Sequence, residues 1–302
     1  MKDFSGKIAV ITGGGTGMGR ELAIQLAEEG CDIAICDVST TNMAETLSKT
    51  QERAAQGVRT TAYACDVRNA DAMNSFAEHI KAEFAVSHIN LLFNNAGIGG
   101  GGSFVEEARD DWERTFNVCW GGVYNGCRTF MDLLVASEEG HVINTSSING
   151  FWASAGPAAS HTAYSASKFA VKGFTEALVT DLRLNAPHVR ASVVMPGHIG
   201  TSIILNGTGS DDPQGARTVL RMMGQPIDEM DDQEVKAALE RLGEGFRDRA
   251  PTTAEDAVKI ILAGVKEEKW RILVGDDAFA LDAAVRAAPE EAYDIDFSGR
   301  LG

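Results

Sequence analysis

Short apolar segments alternate with longer amphipathic segments along the first two-thirds of the chain. Apolar runs bounded by turn residues are typical of buried strands, and apolar residues spaced three and four apart predict helices. The predicted strands span residues 8–12, 32–37, 60–65, 89–93, 141–145, 189–195 and 270–274. The predicted helices span residues 19–29, 41–56, 70–84, 111–136, 163–185 and 254–265. This alternation predicts an α/β fold whose parallel sheet is covered by helices on both faces.

One segment interrupts the alternation. Residues 199–250 contain clusters of Gly, Asp and Pro around one charged helix, predicted at 231–242. An irregular segment of this length inside a compact domain is usually a lid or a binding insertion. After it, Thr253 and Asp256 have the spacing of a helix N-cap. The acidic tail, residues 276–302, is expected to pack on the surface or on a partner subunit. Because the chain has no internal repeat and no linker, we predict a single domain over residues 1–302.

A glycine-rich loop follows the first predicted strand and opens the first predicted helix. Its sequence is Thr12-Gly13-Gly14-Gly15-Thr16-Gly17-Met18-Gly19. In this context glycines let the backbone approach a pyrophosphate, whose negative charge the helix N-terminus stabilises. A tight turn without a ligand would show the same glycines. A second signal favours the dinucleotide site, because Asp37 ends the second strand about twenty residues later, where a carboxylate binds the adenosine ribose hydroxyls.

The carboxylate of Asp37 also bears on the choice between the two nicotinamide cofactors. Two unit negative charges 4 Å apart repel by about 4 kcal/mol at an effective dielectric constant of 20, so Asp37 disfavours a 2′-phosphate. Thr16 adds no positive charge to the glycine loop, and the next basic residue after Asp37 is Lys49. The sequence therefore predicts NAD(H) rather than NADP(H).

Further motifs follow in order along the chain. They are Asp66-Val67 after the third strand, Asn94-Asn95-Ala96-Gly97 after the fourth, Tyr164-Ser165-Ala166-Ser167-Lys168, and Pro196-Gly197-His198-Ile199-Gly200-Thr201. With the T-G-x-x-x-G-x-G loop, they resemble the short-chain dehydrogenase/reductase family from about Lys7 to Thr201. The resemblance implies a Rossmann-type doubly wound sheet and a cofactor site made by Gly13, Thr16, Gly17, Met18, Gly19, Asp37, Asp66, Val67, Asn94, Ala96, Gly97, Tyr164, Lys168, Pro196, Gly197, Ile199 and Thr201.

The candidate catalytic pair is Tyr164 and Lys168, which share one face of a helix because they are four residues apart. A phenol, with an ordinary pKa near 10, is a poor base at neutral pH. A neighbouring ammonium and the positive nicotinamide ring favour phenolate, and lowering the pKa by ~3 units takes about 4 kcal/mol. Tyr164 then removes the alcohol proton while hydride passes to NAD⁺. A Tyr–Lys pair alone is equally typical of a solvated helix face, and only the accompanying motifs favour catalysis. The resemblance adds that Lys168 holds the nicotinamide ribose.

The resemblance also implies a serine at the end of the fifth strand that binds the substrate oxygen. Ser147 falls in register, and Ser146 is the alternative. Ser147 precedes Tyr164 by a few more residues than is usual in the family, and the extra length, 151–161, is expected to shape the substrate entrance. The family's relay asparagine falls on Cys119, so the relay water is held by main chain or proton transfer is slower. Asn117 would be the family residue if the alignment slips.

The substrate is less clearly indicated. Apolar residues of the 199–250 segment, with Phe151 and Trp152, favour a secondary alcohol or ketone of medium to large apolar bulk. The same residues would also suit a segment that simply packs on the domain. Use of NAD⁺ suggests the oxidative direction. Two alternatives stay open: an NADPH-type ketoreductase acting on oxoacyl thioesters, and a nucleotide-sensing protein without catalysis. The apolar residues are Ile203, Ile204, Leu205, Val219, Leu220, Met222, Met223 and Met230.

Composition narrows the range of possible binding partners. The net charge of −16 argues against nucleic acid and anionic membrane surfaces. No apolar run approaches the roughly 18 residues of a membrane span, and the N-terminal residues lack the apolar core of a secretory signal. Five scattered cysteines and histidines such as His161, His188 and His198 show no metal-ligand spacing, so we expect free thiols, no metal and a cytoplasmic location. A homodimer or homotetramer is implied by the resemblance alone.

Overall fold

The computed structural model describes residues 1–154, 160–207, 213–222, 225–227, 229–294 and 297. The strands of its main sheet are β1 (Ile8–Thr12), β2 (Asp32–Asp37), β3 (Thr60–Ala64), β4 (Leu91–Asn94), β5 (Gly140–Thr145), β6 (Val189–Pro196) and β9 (Arg271–Val274). Within the described residues these form one parallel sheet in the order β3-β2-β1-β4-β5-β6-β9. Two short strands, β7 (Ile199–Gly200) and β8 (Thr252–Thr253), pair with each other. The predicted α/β, Rossmann-type parallel sheet is confirmed.

Helices cover both faces of this sheet, because successive strand residues point to opposite sides. One apolar core joins Val10 and Leu92 of the sheet to α3 (Ala70–Phe84), α5 (Gly122–Val135) and α6 (Thr162–Asn185). A second core joins Ile11 and Phe93 to α1 (Gly17–Glu28), α2 (Thr40–Arg53) and α10 (Ala254–Lys266). The doubly wound single domain brings the carboxyl ends of all seven strands to one edge, where ligands bind in such sheets.

The helix predicted at 111–136 is present, but a π-helical turn interrupts its α-helical hydrogen bonding. The structure has α4 (Arg109–Phe116), then a π-helical turn at Asn117–Gly121, then α5. The π turn buries Cys119 and leaves Asn117 exposed. Single π turns of this kind occur mostly as interruptions of α-helices and often lie at functional sites. An apolar pattern does not reveal such a turn, because the residues on both sides keep their helical spacing.

The 199–250 segment is more helical than the sequence suggested. It contains α7 (Ile203–Gly207), α8 (Pro213–Met222) and α9 (Asp232–Asp248), where one helix at 231–242 was predicted. Asp231 caps α9 through a capping box with Glu234, which fixes its first turn. Most of the apolar residues singled out in this segment pack on one another in a separate cluster, while Met223 and the side chain of Met222 lie outside the described residues.

The acidic tail forms α11 (Asp276–Ala287) and then packs on its own chain. The indole of Trp152 donates a hydrogen bond to the Ala292 carbonyl oxygen at 2.6 Å, and the ring of Phe297 lies 6.1 Å from it. The tail therefore covers the segment that follows Ser147, beside the carboxyl edge of the sheet. Residues 295, 296 and 298–302 of the predicted tail, and 155–159 of the predicted entrance loop, lie outside the described residues.

Candidate active site

The glycine loop between β1 and α1 has a backbone path that requires glycine. Gly13 and Gly17 have φ angles of 66° and 53°, in the left-handed region that favours glycine. A Cβ on Gly13 would lie 2.7 Å from Ala96 Cα, and one on Gly19 would lie 2.0 Å from the Gly13 carbonyl oxygen. Gly19 thus permits the close packing of helix on strand. The side chain of Thr16, the N-cap of α1, makes no capping hydrogen bond, so the first amides of the helix are left for a ligand.

Asp37 is held by two backbone amides at the carboxyl end of β2. Gly15 N donates to one carboxylate oxygen and Ser39 N to the other, each at 3.0 Å. A Cβ on Gly15 would lie 2.9 Å from Asp37 Oδ2, so this position too needs glycine. Both carboxylate oxygens therefore have fixed positions beside the glycine loop, as recognition of a ribose diol requires.

A cleft of about 520 Å³ runs along this edge of the sheet. Many of the residues predicted to bind the cofactor line it: Gly13, Thr16, Gly17, Met18, Asp37, Asp66, Val67, Ala96, Gly97 and Thr201. At one side Arg68 pairs with Asp66 at 2.7 Å, and this hydrogen bond holds the pKa of the Asp66 carboxyl below its usual range. The glycine cradle and a ribose-binding carboxylate in one cleft fit an adenine dinucleotide.

Other predicted cofactor residues do not line this cleft. The side chain of Asn94 is buried beneath the sheet edge, where its amide donates to Asn144 Oδ1 at 2.8 Å. Asn94 thus steadies β4 against β5, and its neighbour Asn95 lines the cleft instead. Pro196 ends β6, and Ile199 is buried in β7. Gly197 is so close to Asp277 that a Cβ would lie 2.2 Å from its carboxylate.

Ser147, Tyr164 and Lys168 come together where β5 meets the start of α6. Ser147 Oγ accepts a hydrogen bond from Asn149 N at 3.1 Å, and the Ser147 hydroxyl lies close enough to Tyr164 to lower the pKa of its phenol. Lys168 Nζ lies 5.3 Å from the centre of the Tyr164 ring and donates to the Thr145 carbonyl oxygen at 2.9 Å. This is the arrangement that proton transfer between a substrate oxygen and Tyr164 requires.

Ser146 points away from this group. Its hydroxyl donates to the Lys168 carbonyl oxygen at 2.7 Å, which ties the end of β5 to α6. The geometry thus supports the choice of Ser147 over Ser146 that the strand register suggested.

Burial shifts the pKa values of both candidate catalytic groups in the direction that favours their uncharged forms. Burial raises the pKa of the Tyr164 phenol well above its usual value, and the hydrogen bond from Ser147 offsets only part of this. Burial also lowers the pKa of Lys168. Tyr164 is therefore protonated at neutral pH in the unliganded chain, ready to donate a proton, and needs additional positive charge to act as a base.

Cys119 lies in the position that the alignment gave it. Its thiol is buried in the π turn and donates to the Ile98 carbonyl oxygen at 3.4 Å. A Cβ on Gly97 would lie 3.6 Å from Lys168 Nζ and 3.8 Å from Cys119 Sγ, so these three residues converge. Asn117 is exposed and lines a different, shallow depression. The register with Asn117 in the active site is not what the structure shows.

Sequence reasoning missed the polar side chains that bind the Gly15 carbonyl oxygen of the glycine loop. Arg20 donates to the Gly15 carbonyl oxygen at 2.8 Å and forms two hydrogen bonds with Glu45, at 2.8 and 2.9 Å. Thr46 donates to the same carbonyl oxygen. Arg20 follows the last loop glycine directly, so its place in sequence was the available signal. Asn206 of α7, bonded to Thr16 Oγ1 at 3.1 Å, was missed as well, and no motif marked it.

The three histidines singled out in the sequence lie in different environments. His188 bonds the Val135 carbonyl oxygen, and His198 bonds that of Phe246 at 2.8 Å. His161 stacks on Tyr164, which sequence reasoning did not foresee. Among the described residues there is no cluster of three metal-ligating side chains, and none of the described helices has the length and apolarity to cross a bilayer.

The fold, the glycine cradle and the Ser–Tyr–Lys group together define a dinucleotide-dependent oxidoreductase of Rossmann type. The model of the short chain dehydrogenase family matches residues 7–208. SadH of Mycobacterium tuberculosis, named as an oxidoreductase, is 35% identical over 288 residues, covering 95% of this chain and 92% of that protein. The chain therefore belongs to the short-chain dehydrogenase/reductase family, and it is an enzyme.

A solved structure and a further sequence relative agree with this family assignment. A short-chain dehydrogenase/reductase from Burkholderia phymatum, solved in complex with NAD, matches with a TM-score of 0.77 and 29% identity over 96% of this chain and 95% of that one. Human epidermal retinol dehydrogenase 2 is 30% identical over 203 residues, which are 67% of this chain and 63% of that protein.

Proposed function

We propose that this enzyme transfers hydride between NAD(H) and a secondary alcohol or ketone of medium to large apolar bulk. The observation that carries the proposal is the contact of Ser147 with Tyr164, beside Lys168, at the same sheet edge as the cradle and Asp37. Ser147 and Tyr164 act on one oxygen atom of the substrate, and Lys168 acts through Tyr164 and the cofactor.

Each residue has a distinct task in alcohol oxidation. Ser147 Oγ binds the substrate oxygen and orients it toward Tyr164. Tyr164 Oη, as phenolate, accepts the hydroxyl proton while the carbinol carbon gives up its hydride. NAD⁺, when bound, supplies the hydride acceptor. The ammonium of Lys168 favours the phenolate and holds the nicotinamide ribose. In the reverse direction Tyr164 returns the proton to the ketone oxygen, which suits its raised pKa.

The preference for NAD(H) over NADP(H) is supported by the charges around the ribose site. Asp37 lines the cleft, and the nearest cation of the glycine loop, Arg20, is already engaged by Glu45 and Gly15. The hydrogen bonds of Lys49 and Arg20 lower the pKa of Glu45 to about 2, so Glu45 remains ionised and keeps Arg20 paired. A 2′-phosphate would therefore meet the negative charge of Asp37.

The apolar substrate class is supported by residues near the entrance. Ile203 and Leu205 of α7 line the cleft, and Phe151 and Trp152 follow Ser147 under the C-terminal tail. The human relative is named for retinol, an apolar alcohol. The 199–250 segment contacts the glycine loop through Asn206, which is consistent with a lid over the cofactor.

Self-association is part of the same proposal. Tyr124 on α5 and Phe169 on α6 are exposed aromatic side chains on the two long helices through which family members associate. Cytoplasmic location and oligomer size stay predictions from the sequence.

The test of the proposed function is absorbance at the reduced-nicotinamide band, with a panel of bulky secondary alcohols and either NAD⁺ or NADP⁺. We expect reduction of NAD⁺, abolished in Tyr164→Phe while NAD⁺ binding is kept. Reduction of NADP⁺ alone would overturn the cofactor assignment. Unchanged turnover in Tyr164→Phe would overturn the assignment of the catalytic base.

A further inference from the structure

The ring that packs on the catalytic tyrosine belongs to His161. The two ring centres are 4.5 Å apart and the planes are within 10° of parallel. His161 is the residue directly before α6, and Tyr164 lies in the first turn of that helix. Because Ser147 and Lys168 lie beside Tyr164, the stacked ring of His161 lies close to the candidate catalytic group.

Two polar atoms on this face have no hydrogen-bond partner within the described part of the chain. They are Nδ1 of His161 and Oγ of Ser165, both shielded from solvent. His161 and Ser165 are four residues apart at the start of α6, so they share one face of the helix. An unmet buried donor or acceptor is destabilising, so each one in a native structure calls for an explanation such as a bound water, an ion or a functional role. A bound substrate would supply the missing partner at this face.

The imidazole of His161 is neutral in this position. Burial lowers the pKa of His161 to about 4, well below physiological pH. A neutral ring carries one N–H donor and one acceptor nitrogen, so it can bond either a hydroxyl or a carbonyl oxygen. It gives no charge attraction to a carboxylate. Uncharged oxygen is therefore the chemistry that it recognises.

We propose that His161 is a substrate-binding residue whose Nδ1 forms a hydrogen bond with a second, uncharged oxygen of the substrate. That oxygen lies on the carbon next to the reacting carbinol or on the one beyond it. Preferred substrates are then apolar molecules with two neighbouring oxygens, such as vicinal diols and hydroxyketones, rather than simple secondary alcohols. The inference rests on the proposed function and adds to it the arrangement of substrate oxygens that the site recognises.

The experiment compares two substrates that share one apolar chain: a secondary alcohol and the corresponding vicinal diol. For the unmodified enzyme we expect kcat/KM to be about tenfold higher for the diol, the effect of one hydrogen bond to a buried group. His161→Phe keeps a stacking ring but has no nitrogen. It should remove this preference, mainly through KM for the diol, and leave kcat/KM for the simple alcohol within about threefold.

Two further variants separate binding from structure. His161→Asn loses the stacked ring but has an amide near the position of Nδ1, so it should retain part of the preference for the diol. His188→Phe is the matched control, because His188 precedes β6 at the opposite edge of the sheet. It should leave both substrates unchanged.

The outcomes distinguish this inference from the proposed function. Turnover of the alcohol with no preference for the diol would overturn the inference alone. So would an unchanged preference in His161→Phe, or an equal loss for both substrates, since that would show that the ring only steadies Tyr164. No turnover of either substrate by the unmodified enzyme would overturn the proposed function and the inference with it.

Discussion

Replacement of Asp37 by Asn tests the electrostatic basis of cofactor choice. The two carboxylate oxygens of Asp37 accept from Gly15 N and Ser39 N at 3.0 Å, so an amide of the same shape fits the site. The substitution removes the negative charge and turns one acceptor into a donor. Loss of one of these internal hydrogen bonds weakens both cofactors equally. The ratio of their dissociation constants therefore reports the charge itself.

The size of the effect follows from Coulomb's law. Repulsion of a unit negative charge at 4 Å is about 4 kcal/mol at an effective dielectric constant of 20, and solvent and salt at this partly open cleft reduce it to about 2 kcal/mol. Loss of charge-assisted bonds to the ribose hydroxyls weakens NAD⁺ by about 1 kcal/mol. The sum of about 3 kcal/mol shifts the ratio of dissociation constants roughly 150-fold toward NADP⁺.

The assay is titration calorimetry of both oxidised cofactors at low and at physiological salt. Asp32→Asn is the matched control, because it removes the same charge from the other end of β2, where Asp32 pairs with Arg59. That variant should leave the ratio unchanged. A shift of less than about fivefold in Asp37→Asn, or an equal shift in Asp32→Asn, would refute the reasoning, since the discrimination would then come from shape or from distant charges.

Three further predictions concern the catalytic group and the core. Ser147→Ala should lower kcat by about 100-fold or more, because it removes a hydrogen bond to the reacting oxygen, whereas Ser146→Ala should mainly lower the melting temperature; steady-state kinetics and thermal melts separate the two. Cys119→Asn should change kcat by a measurable factor if this position serves the proton relay, and unchanged turnover would show that it does not. Burial lowers the pKa of His141 to about 3, whereas its pKa in the unfolded chain is about 6.5. The free energy of unfolding, measured by urea melts, should therefore fall by about 1.4 kcal/mol for each pH unit below 6.5. A pH dependence equally steep in His141→Gln would contradict this.

The strands were the part of the fold that sequence reasoning predicted best. Buried parallel strands are apolar on both faces, so they stand out as short runs, and the motifs at their carboxyl ends indicated one shared edge. The helix predicted at 111–136 contains a π turn at Asn117–Gly121 that the sequence did not indicate, because an extra residue in one turn leaves no trace in local apolar spacing. Helices of the 199–250 segment were missed for another reason. Its short helices are stabilised by packing on one another, and their intrinsic propensity is a weak signal.

Individual side chains of the site were harder to predict than the elements that present them. Motifs indicated Asp37 at the end of one strand and Ser147 two residues after another, and the registers of both strands are fixed by their neighbours. Asn94 ends a strand too, yet its side chain turns beneath the sheet to Asn144, because successive side chains alternate between the two faces. His161 could not be predicted from any spacing, since the stack on Tyr164 depends on the chain path that leads into α6.

The unliganded catalytic group explains why chemistry should depend on prior cofactor binding. Tyr164 is buried, and its raised pKa leaves it protonated across neutral pH, while burial also lowers the pKa of Lys168. Lys168 Nζ donates to the Thr145 carbonyl oxygen and lies 5.3 Å from the centre of the Tyr164 ring. In the protein alone, burial favours the protonated phenol over the phenolate. We propose that the positive charge of an oxidised nicotinamide ring would favour the phenolate, which would make alcohol deprotonation conditional on the presence of the hydride acceptor.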